Sequence, residues 1–348
     1  CLRATDGERV WRYRAAPADR RLVAYGHIES AWPVSGSVLI VDGRVAGVAG
    51  RSMFLDGGLR LLMLDPATGR KRGETLLDDR DPESDRDLQA HMGGLSMPVA
   101  LPDILSCDGE NVYMRSQRFD KQGRREALAP RMPWTRAARM QSSGDHHLFS
   151  PSGFLDGSSF HRSYWVFGTT FAGGWNAYFV AGLHAPAGKI LVVGEDRVYG
   201  FGRKPQFYKW SLNTDYHLFA ADRKPPEPDT QKGGKGGAVV RHAWTQELPL
   251  IVQAMALAGD RLVIAGPPQV IRDSELRRPS EDVVKRAIAQ DAALRGERGG
   301  RLWVVSAEDG KKLSDVQLDS PPVFDGMAVA NGNVYLSTTK GTVVCFGN

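Results

Sequence analysis

Apolar residues in this chain come in short runs, and the runs come in pairs separated by two residues drawn from Gly, Asp, Asn and Glu. Five such pairs stand out: Val38 to Val48 across Asp42-Gly43, Ile104 to Met114 across Asp108-Gly109, Ile190 to Tyr199 across Glu195-Asp196, Ala256 to Ile264 across Gly259-Asp260, and Met327 to Leu336 across Gly332-Asn333. The flanking runs are rich in Val, Ile, Leu and Tyr, and the separating residues tolerate positive φ. Each pair therefore predicts a β-hairpin. A lone hairpin cannot bury both of its faces, so five in series predict units that stack on one another.

Further strands follow the hairpins. After the first come Leu59 to Leu64, the turn Asp65-Pro66-Ala67-Thr68-Gly69, and the stretch Arg70 to Leu77. Pro66 supplies a fixed φ and Gly69 a permissive one, as a tight turn requires. Leu302 to Val305, Ser306-Ala307-Glu308-Asp309-Gly310 and Lys311 to Leu318 repeat this order, as do Cys1 to Arg3, Ala4-Thr5-Asp6-Gly7 and Glu8 to Tyr13. Leu218 to Asp222 opens a weaker copy that ends near Trp244. The expected fold is all-β, a β-propeller of four-stranded antiparallel blades, read as a single domain over 1–348 with about five or more blades. Successive hairpin turns lie 64 to 87 residues apart. A four-stranded blade needs only about 40 to 45. Insertions are therefore expected near 78–97, 118–160, 224–237 and 267–300. The last predicts a helix near 280–296: Ser280 as cap, Glu281 and Asp282 in the first turn, Val284, Ile288 and Ala292 on one face packing outside a blade, and Gly296 as stop. The spacing of Glu281 and Lys285 predicts an exposed ion pair.

Composition narrows the functional classes. With 42% hydrophobic and 24% charged residues, 39 Gly and 20 Pro, the chain is a turn-rich globular protein and not a disordered one. The net charge of +5 is spread among interspersed acids and bases. The aromatic and basic spacing of single-strand readers is missing, which argues against a nucleic-acid partner. No run of about 18 apolar residues exists to make a transmembrane segment. The chain lacks an initiator Met and a signal segment, so something is expected to precede Cys1. Cys1, Cys107 and Cys345 are too few for a disulfide framework and have no metal spacing. Cys1 reads either as a lipid-modified N-terminus or, by its match to Cys345-Phe346, as a strand residue. The second is preferred.

Candidate chemistry is sparse. His146, His147 and His161, with Asp145 and Asp156, could ligate a divalent ion, but no ligand spacing supports them and no metal is assigned. The aromatic density from His161 to Tyr178 is the best candidate for ligand binding, through His161, Arg162, Tyr164, Trp165 and Trp175. Arg162 would orient an anion and the rings would stack. The alternative is that these rings plug the channel or staple the insertion to a blade. Gly233-Gly234-Lys235-Gly236-Gly237 lacks the strand and helix of a phosphate loop and reads as a linker. Asp78-Asp79-Arg80-Asp81, with Asp85 and Asp87, lacks the arrangement of a calcium loop and reads as a solvated turn. No catalytic triad can be assembled, and no catalytic residue is assigned.

The phrases Ala4-Thr5-Asp6-Gly7-Glu8 with Trp11, and Leu64-Asp65-Pro66-Ala67-Thr68-Gly69-Arg70, resemble the repeat of the pyrroloquinoline-quinone-like β-propeller family. Phe160 to Trp165 and Arg197 to Arg203 are also similar to stretches of planctomycete-type members. The resemblance implies seven or eight blades in the full ring, of which this chain would be a C-terminal portion, and an aromatic, here Trp11 or Trp244, docking against the next blade. It implies one of two occupations. Quinoprotein dehydrogenases of the family hold pyrroloquinoline quinone over a vicinal disulfide with calcium beside it. Scaffolds of the family, typified by the lipoprotein of the outer-membrane assembly machinery, present loops to partners. No two cysteines are adjacent here, so no cofactor is expected. The expected role is a non-catalytic binding or scaffolding module of a bacterial envelope or exported protein, in the periplasm or cell envelope. Its partner would be a protein or small molecule at the propeller face. The alternative is a quinone- or metal-dependent oxidoreductase whose other site residues precede Cys1.

Overall fold

All five expected hairpins form in the computed structural model, which describes residues 1–24, 26–34, 36–88, 100, 105–115, 117–127, 142–150, 165–170, 182, 185–204, 207–208, 211–212, 215–224 and 240–347. Within the first of two units, Cys1–Tyr178, the strands are β1 (Arg21–Ala24), β2 (His27–Ser30), β3 (Leu39–Val41), β4 (Arg44–Ala49), β5 (Leu59–Leu64), β6 (Lys71–Leu77), β7 (Ser106–Cys107), β8 (Asn111–Met114), β9 (Gln117–Asp120), β10 (Ser142–Phe149) and β11 (Trp165–Thr170). The second, Phe179–Asn348, holds β12 (Ala187–Gly188), β13 (Ile190–Val193), β14 (Arg197–Arg203), β15 (Phe207–Tyr208), β16 (Ser211–Leu212), β17 (Tyr216–Asp222), β18 (His242–Gln246), β19 (Ala254–Ala258), β20 (Arg261–Gly266), β21 (Gly300–Ser306), β22 (Lys312–Leu318), β23 (Pro322–Ala330), β24 (Asn333–Thr338) and β25 (Val343–Phe346). A 3₁₀ turn at Glu275–Arg277 and the helix α1 (Glu281–Leu294) lie between β20 and β21.

Three sets, β3 to β6, β13-β14-β17-β18 and β19 to β22, are four-stranded antiparallel meanders, and β7 to β9 and β23 to β25 are three-stranded ones. The fold is all-β and its unit is the propeller blade. The central strands explain why blades stack, because successive side chains leave a strand on opposite faces and here both faces are apolar. On β5, Leu61 and Met63 pack with Val112, Met114 and Phe119 of the next blade. Leu62 and Leu64 enter a second cluster with Trp32, Trp11 and Tyr13 on the other face. In the second unit Leu262 and Ile264 meet Ile190, Phe201 and Leu218, while Val263 and Ala265 meet Leu336 and Met327. Each fully buried Leu, Ile, Val, Met or Phe among them contributes roughly 1.5 to 3 kcal/mol.

The turn between the third and fourth strands recurs with one hydrogen-bond pattern. Asp65 N–H donates to Arg70 O (2.9 Å) and Gly69 N–H to Asp65 O (2.8 Å), and the corresponding bonds link Ser306, Lys311 and Gly310 (both 2.8 Å) and Arg3, Glu8 and Gly7 (both 2.8 Å). The glycines have φ of 69°, 74° and 74°, where a side chain is strained. A tryptophan from the neighbouring fourth-strand position closes on two of these turns. Trp11 Nε1–H donates to Pro66 O at 2.8 Å and Trp244 Nε1–H to Ala307 O at 3.0 Å, the second residue of the turn in both cases. A Cβ on Gly69 would lie 2.6 Å from the Trp11 ring, and one on Gly310 would lie 2.8 Å from the Trp244 ring. The docking contact expected of Trp11 and Trp244 is thus present. Arginines that open second strands add a bond to the following blade: Arg197 donates to Glu308 O (2.9 Å) across the boundary that Trp244 closes, and Arg44 donates to Lys121 O (3.2 Å) across the next boundary after that of Trp11.

Several expectations need correction. The stretch assigned to an insertion from residue 118 begins inside a blade, because β9 runs to Asp120 and Asp120 to Gly123 is a third-to-fourth-strand turn, with Gly123 N–H bonded to Asp120 O at 2.9 Å. The acidic stretch forms the solvated turn expected of it, exposed from Pro82 to Asp87, but it also repeats the pattern above, with Asp85 at φ 53° in the glycine place and a buried Asp81 that accepts the amides of Glu83 and Ser84. Two small hairpins, β1–β2 and β15–β16, were not expected. Helix α1 has its Ser280 cap (3.2 Å to Val283 N) and Gly296 stop at φ 84°. It does not pack through Val284 and Ile288, which are 51% and 64% exposed. A polar side chain anchors it instead: Gln290 Oε1 accepts Val270 N–H (2.7 Å) and Ile271 N–H (3.3 Å), and its Nε2 donates to Pro268 O (3.2 Å). Three unpaired backbone groups of that loop are better satisfied by one amide than by a methyl stripe.

Connections between second and third strands vary most: residues 50–58, 204–215 and 267–299. The turns between first and second strands stay short.

The tryptophan contacts yield a graded expectation. Gly69→Ala and Gly310→Ala combine an unfavourable φ with a clash on an indole and should each cost about 2 to 4 kcal/mol. Gly332→Ala, with φ 76° but no atom within 4 Å of its Cβ, should cost only about 1 kcal/mol. Urea unfolding followed by tryptophan fluorescence measures all three, and equal losses would mean that the indoles do not press on the turns.

Candidate functional site

Most of the aromatic segment singled out in the sequence lies outside the described residues: His161, Arg162, Tyr164 and Trp175 do so, as do Asp156 and the glycines from Gly233 to Gly237. Trp165 starts β11 and is buried, at 4% exposure, in the pair that β11 makes with β10. Of the histidine pair, His146 is exposed and His147 buried, so the two rings diverge as adjacent strand residues must. Among the described residues no three His, Cys, Asp or Glu side chains converge as metal ligands. The three cysteines are all exposed and separate, so the residues present do not fit a quinone resting on a vicinal disulfide.

The structure gathers a different group, around the second blade. His147 stacks on Tyr113 with centroids 4.0 Å apart and 14° between planes. Its Nε2 lies 2.7 Å from the carbonyl of Arg115. A carbonyl only accepts, so Nε2 carries a proton and donates. Arg115, at the β8–β9 turn, is buried and held at φ 59°. The Tyr113 hydroxyl donates to Asp108 Oδ2 at 2.7 Å, while Asp108 Oδ1 accepts the amides of Asn111 (2.7 Å) and Glu110 (2.8 Å). Burial opposes ionisation of Asp108, but the bonds from Asn111, Tyr113 and Glu110 outweigh it and hold its carboxyl below the ordinary range. Alongside, the fully buried Gln117 donates to Glu126 O (2.7 Å) and Arg118 O (3.0 Å) and accepts from Arg125 Nε (3.0 Å). Arg125 reaches Asp78 at 3.2 Å. This network ties the second blade to the segment after the first.

Sequence reasoning missed this group. Its signal was Gln117, a polar residue two positions from Phe119 on the inward face of β9, where an apolar one belongs.

In the second unit a His–Thr pair has the look of a base and nucleophile, with His217 Nδ1 2.7 Å from Thr245 Oγ1. Burial first, then His242 and Lys204, push the His217 imidazole down to about 3. So weak a base takes no proton from a hydroxyl near neutral pH. His242, 5.5 Å away edge-on, is also pushed down by burial. Asp325 is the opposite case: at a bulge in β23, with φ 56° and its N–H bonded to Gln253 O (2.8 Å), it is raised by burial to about 6.

Among the described residues, open clefts lie on the blades. One of about 440 Å³ is lined by Asp42, Arg44, Met63, Asp65, Arg72 and Gln122, from the turns of two consecutive blades in the first unit. Arg72 bonds Asp65 at 2.6 Å, and this contact with help from Thr68 holds the Asp65 carboxyl at about 2. Another, of about 360 Å³, includes Glu247, Gln269, Arg272 and Glu275 in the second unit.

No protein-family model matches the chain, and no curated protein does. Among solved structures it is similar to BamB from Moraxella catarrhalis at 11% identity and TM-score 0.39, covering 92% of this chain and 75% of BamB. It is similar to the dihydro-heme d1 dehydrogenase NirN in complex with DHE at 12% and 0.33, covering 91% and 55%, and to the Dos1 propeller at 11% and 0.28, covering 94% and 58%. The chain spans little more than half the length of the latter two. These are β-propellers, and likeness at such scores carries no argument about activity. No helix among the described residues is long and apolar enough to cross a membrane.

The perturbed groups give opposite pH dependences. A histidine lowered in the fold stabilises above its ordinary pKa of 6.5 and loses that stability as pH falls toward about 3. Between pH 7 and 5 His217 should cost about 1 to 2 kcal/mol, and His217→Gln should flatten that fall in urea melts. An aspartate raised in the fold stabilises below 3.8 and loses this as pH rises through about 6. Asp325→Asn, which also suits a left-handed φ, should therefore gain about 2 to 3 kcal/mol at pH 7 and only about 0.5 kcal/mol at pH 4. A loss at pH 7 would mean that the carboxylate is stabilised in place.

Proposed function

We propose that this chain is a non-catalytic propeller module that binds or scaffolds a protein or small-molecule ligand, within an envelope or exported bacterial protein. One observation carries the reading. The groups best placed for chemistry, the buried His147, Gln117 and His217 and the half-buried Asp108, are bonded into the blades, whereas charged side chains gather around open clefts built from blade turns. Residues that must stay fixed to hold a blade are poorly suited to turn over a substrate, and clefts between rigid turns suit recognition. The segment from His161 to Trp175, with Arg162 and Tyr164, remains the second proposed contact region, on its aromatic density. The envelope placement and the kinship with pyrroloquinoline-quinone-like propellers rest on the repeat resemblance of Trp11 and the Asp65 to Arg70 turn.

Immobilised protein should retain a partner from an envelope extract. Arg72→Gln or Arg162→Ala should lower retention at least about threefold with urea stability within about 1 kcal/mol of the parent, since an exposed ion pair contributes little. Added pyrroloquinoline quinone and calcium should produce neither a quinone absorption band nor dye-linked oxidation of alcohols or sugars. Either signal would overturn the non-catalytic reading.

A further inference from the structure

Helix α1 presents to solvent a line of residues spaced alternately by three and four: Glu281, Val284, Ile288, Asp291 and Arg295, the last its C-cap. Val284 and Ile288 are 51% and 64% exposed, and the side chains of Glu281, Asp291 and Arg295 are 85%, 64% and 54% exposed. This is the spacing of a seam between two helices crossing at about 20°. The opposite face is committed to the protein's own fold, through Gln290 on the 268–271 loop and through Arg286, which pairs with Glu275 (2.7 Å) and Asp282 (2.9 Å).

The charges on the exposed line indicate what covers it. At its start Glu281 pairs with Lys285 (2.7 Å), and at its end Asp291 pairs with Arg295. If a second, identical helix is laid antiparallel with Ile288 on the two-fold axis, Ile288 meets Ile288, Val284 meets the small Ala292, Lys285 meets Asp291, and Glu281 meets Arg295. Every apolar residue then faces an apolar one and every charge its opposite. Two acids and two bases leave no net field for an anionic membrane surface, and the apolar line is too narrow to embed in one. We propose that α1 is a self-complementary docking element through which two copies of this chain associate about a two-fold axis at Ile288. Isologous pairing of this kind is the commonest route to a symmetric dimer. The helix is only about 21 Å long. Its contact falls at or below the low end of specific interfaces, so the association is weak and reversible. The binding role argued above is independent of it.

Sedimentation of the full chain tests this. The weight-average mass of the parent should climb from one chain toward two between about 10 µM and 1 mM, the range of a weak complex. Ile288→Glu, which puts like charges on the axis, should hold it at one chain throughout. Lys285→Glu and Asp291→Lys each create two like-charge contacts in a homodimer and should weaken association at least about tenfold. In an equal mixture of these two variants, a mixed dimer sets the introduced acid of one against the introduced base of the other, and the unaltered Asp291 against the unaltered Lys285. The mixture should regain association to within about threefold of the parent, which no damage to either helix could produce. A parent that stays at one chain up to 1 mM overturns the proposal. So does Ile288→Glu associating like the parent, or a mixture no stronger than its components; the last would point to a different partner for this helix.

Discussion

Strands that are greasy on both faces govern everything else in this protein. Leu61 and Met63 must be covered on one side of β5 and Leu62 and Leu64 on the other, and Leu262 with Ile264 and Val263 with Ala265 repeat the demand on β20. A single blade cannot meet it. Hydrophobic burial has no direction of its own, however, and two sheets with apolar faces could slide over each other. The indole of Trp11 seated on Gly69, and that of Trp244 on Gly310, remove this freedom because each fits only a turn that lacks a side chain and offers a carbonyl at the second residue. Burial supplies the energy and the indole supplies the alignment.

The polar interior serves the same end by other means. At the second blade Gly123 meets no indole: Met63 lies 3.1 Å from its would-be Cβ and Thr75 bonds its carbonyl at 2.6 Å. Nearby, Gln117, Arg125 and Asp78 cross-link the blade to the preceding segment, and Tyr113 and His147 stack beside them. Buried polar networks fix one arrangement where shape alone is permissive, provided that each member is satisfied. Here Gln117 uses both ends of its amide, and the carboxylate of Asp108 uses both oxygens.

What the sequence made legible was local. Each hairpin could be read because the turn residues and the alternation they separate lie within about ten positions, and all five form. The docking role of Trp11 and Trp244 became readable through a repeated phrase and its resemblance. What stayed hidden depended on partners distant in sequence. Residues 81–86 carry Asp85 where the repeat has glycine, so the shared turn was masked. Asp120 to Gly123 is one residue shorter than its relatives. The helix was recognised from its caps, but its orientation was decided by Gln290 meeting a loop some twenty residues earlier, which periodicity does not encode. Arg115 and Gln117 are polar residues that only their burial sets apart from exposed strand positions. The aromatic density from His161 to Trp175 falls largely outside the described residues.

The connections described earlier divide each blade between two duties. Because strands alternate in direction, the first-to-second and third-to-fourth turns emerge at one rim. There the tryptophans, Arg44 and Arg197 bind neighbouring blades, and a change of length would loosen the joint. Second-to-third connections emerge at the other rim, where a loop of nine residues, a small hairpin and a helix have all been accommodated by blades of otherwise equal design. The architecture thus keeps one side mechanically conservative and leaves the other open to innovation, and foreign sequence grafted into this protein would be best tolerated between a blade's middle strands.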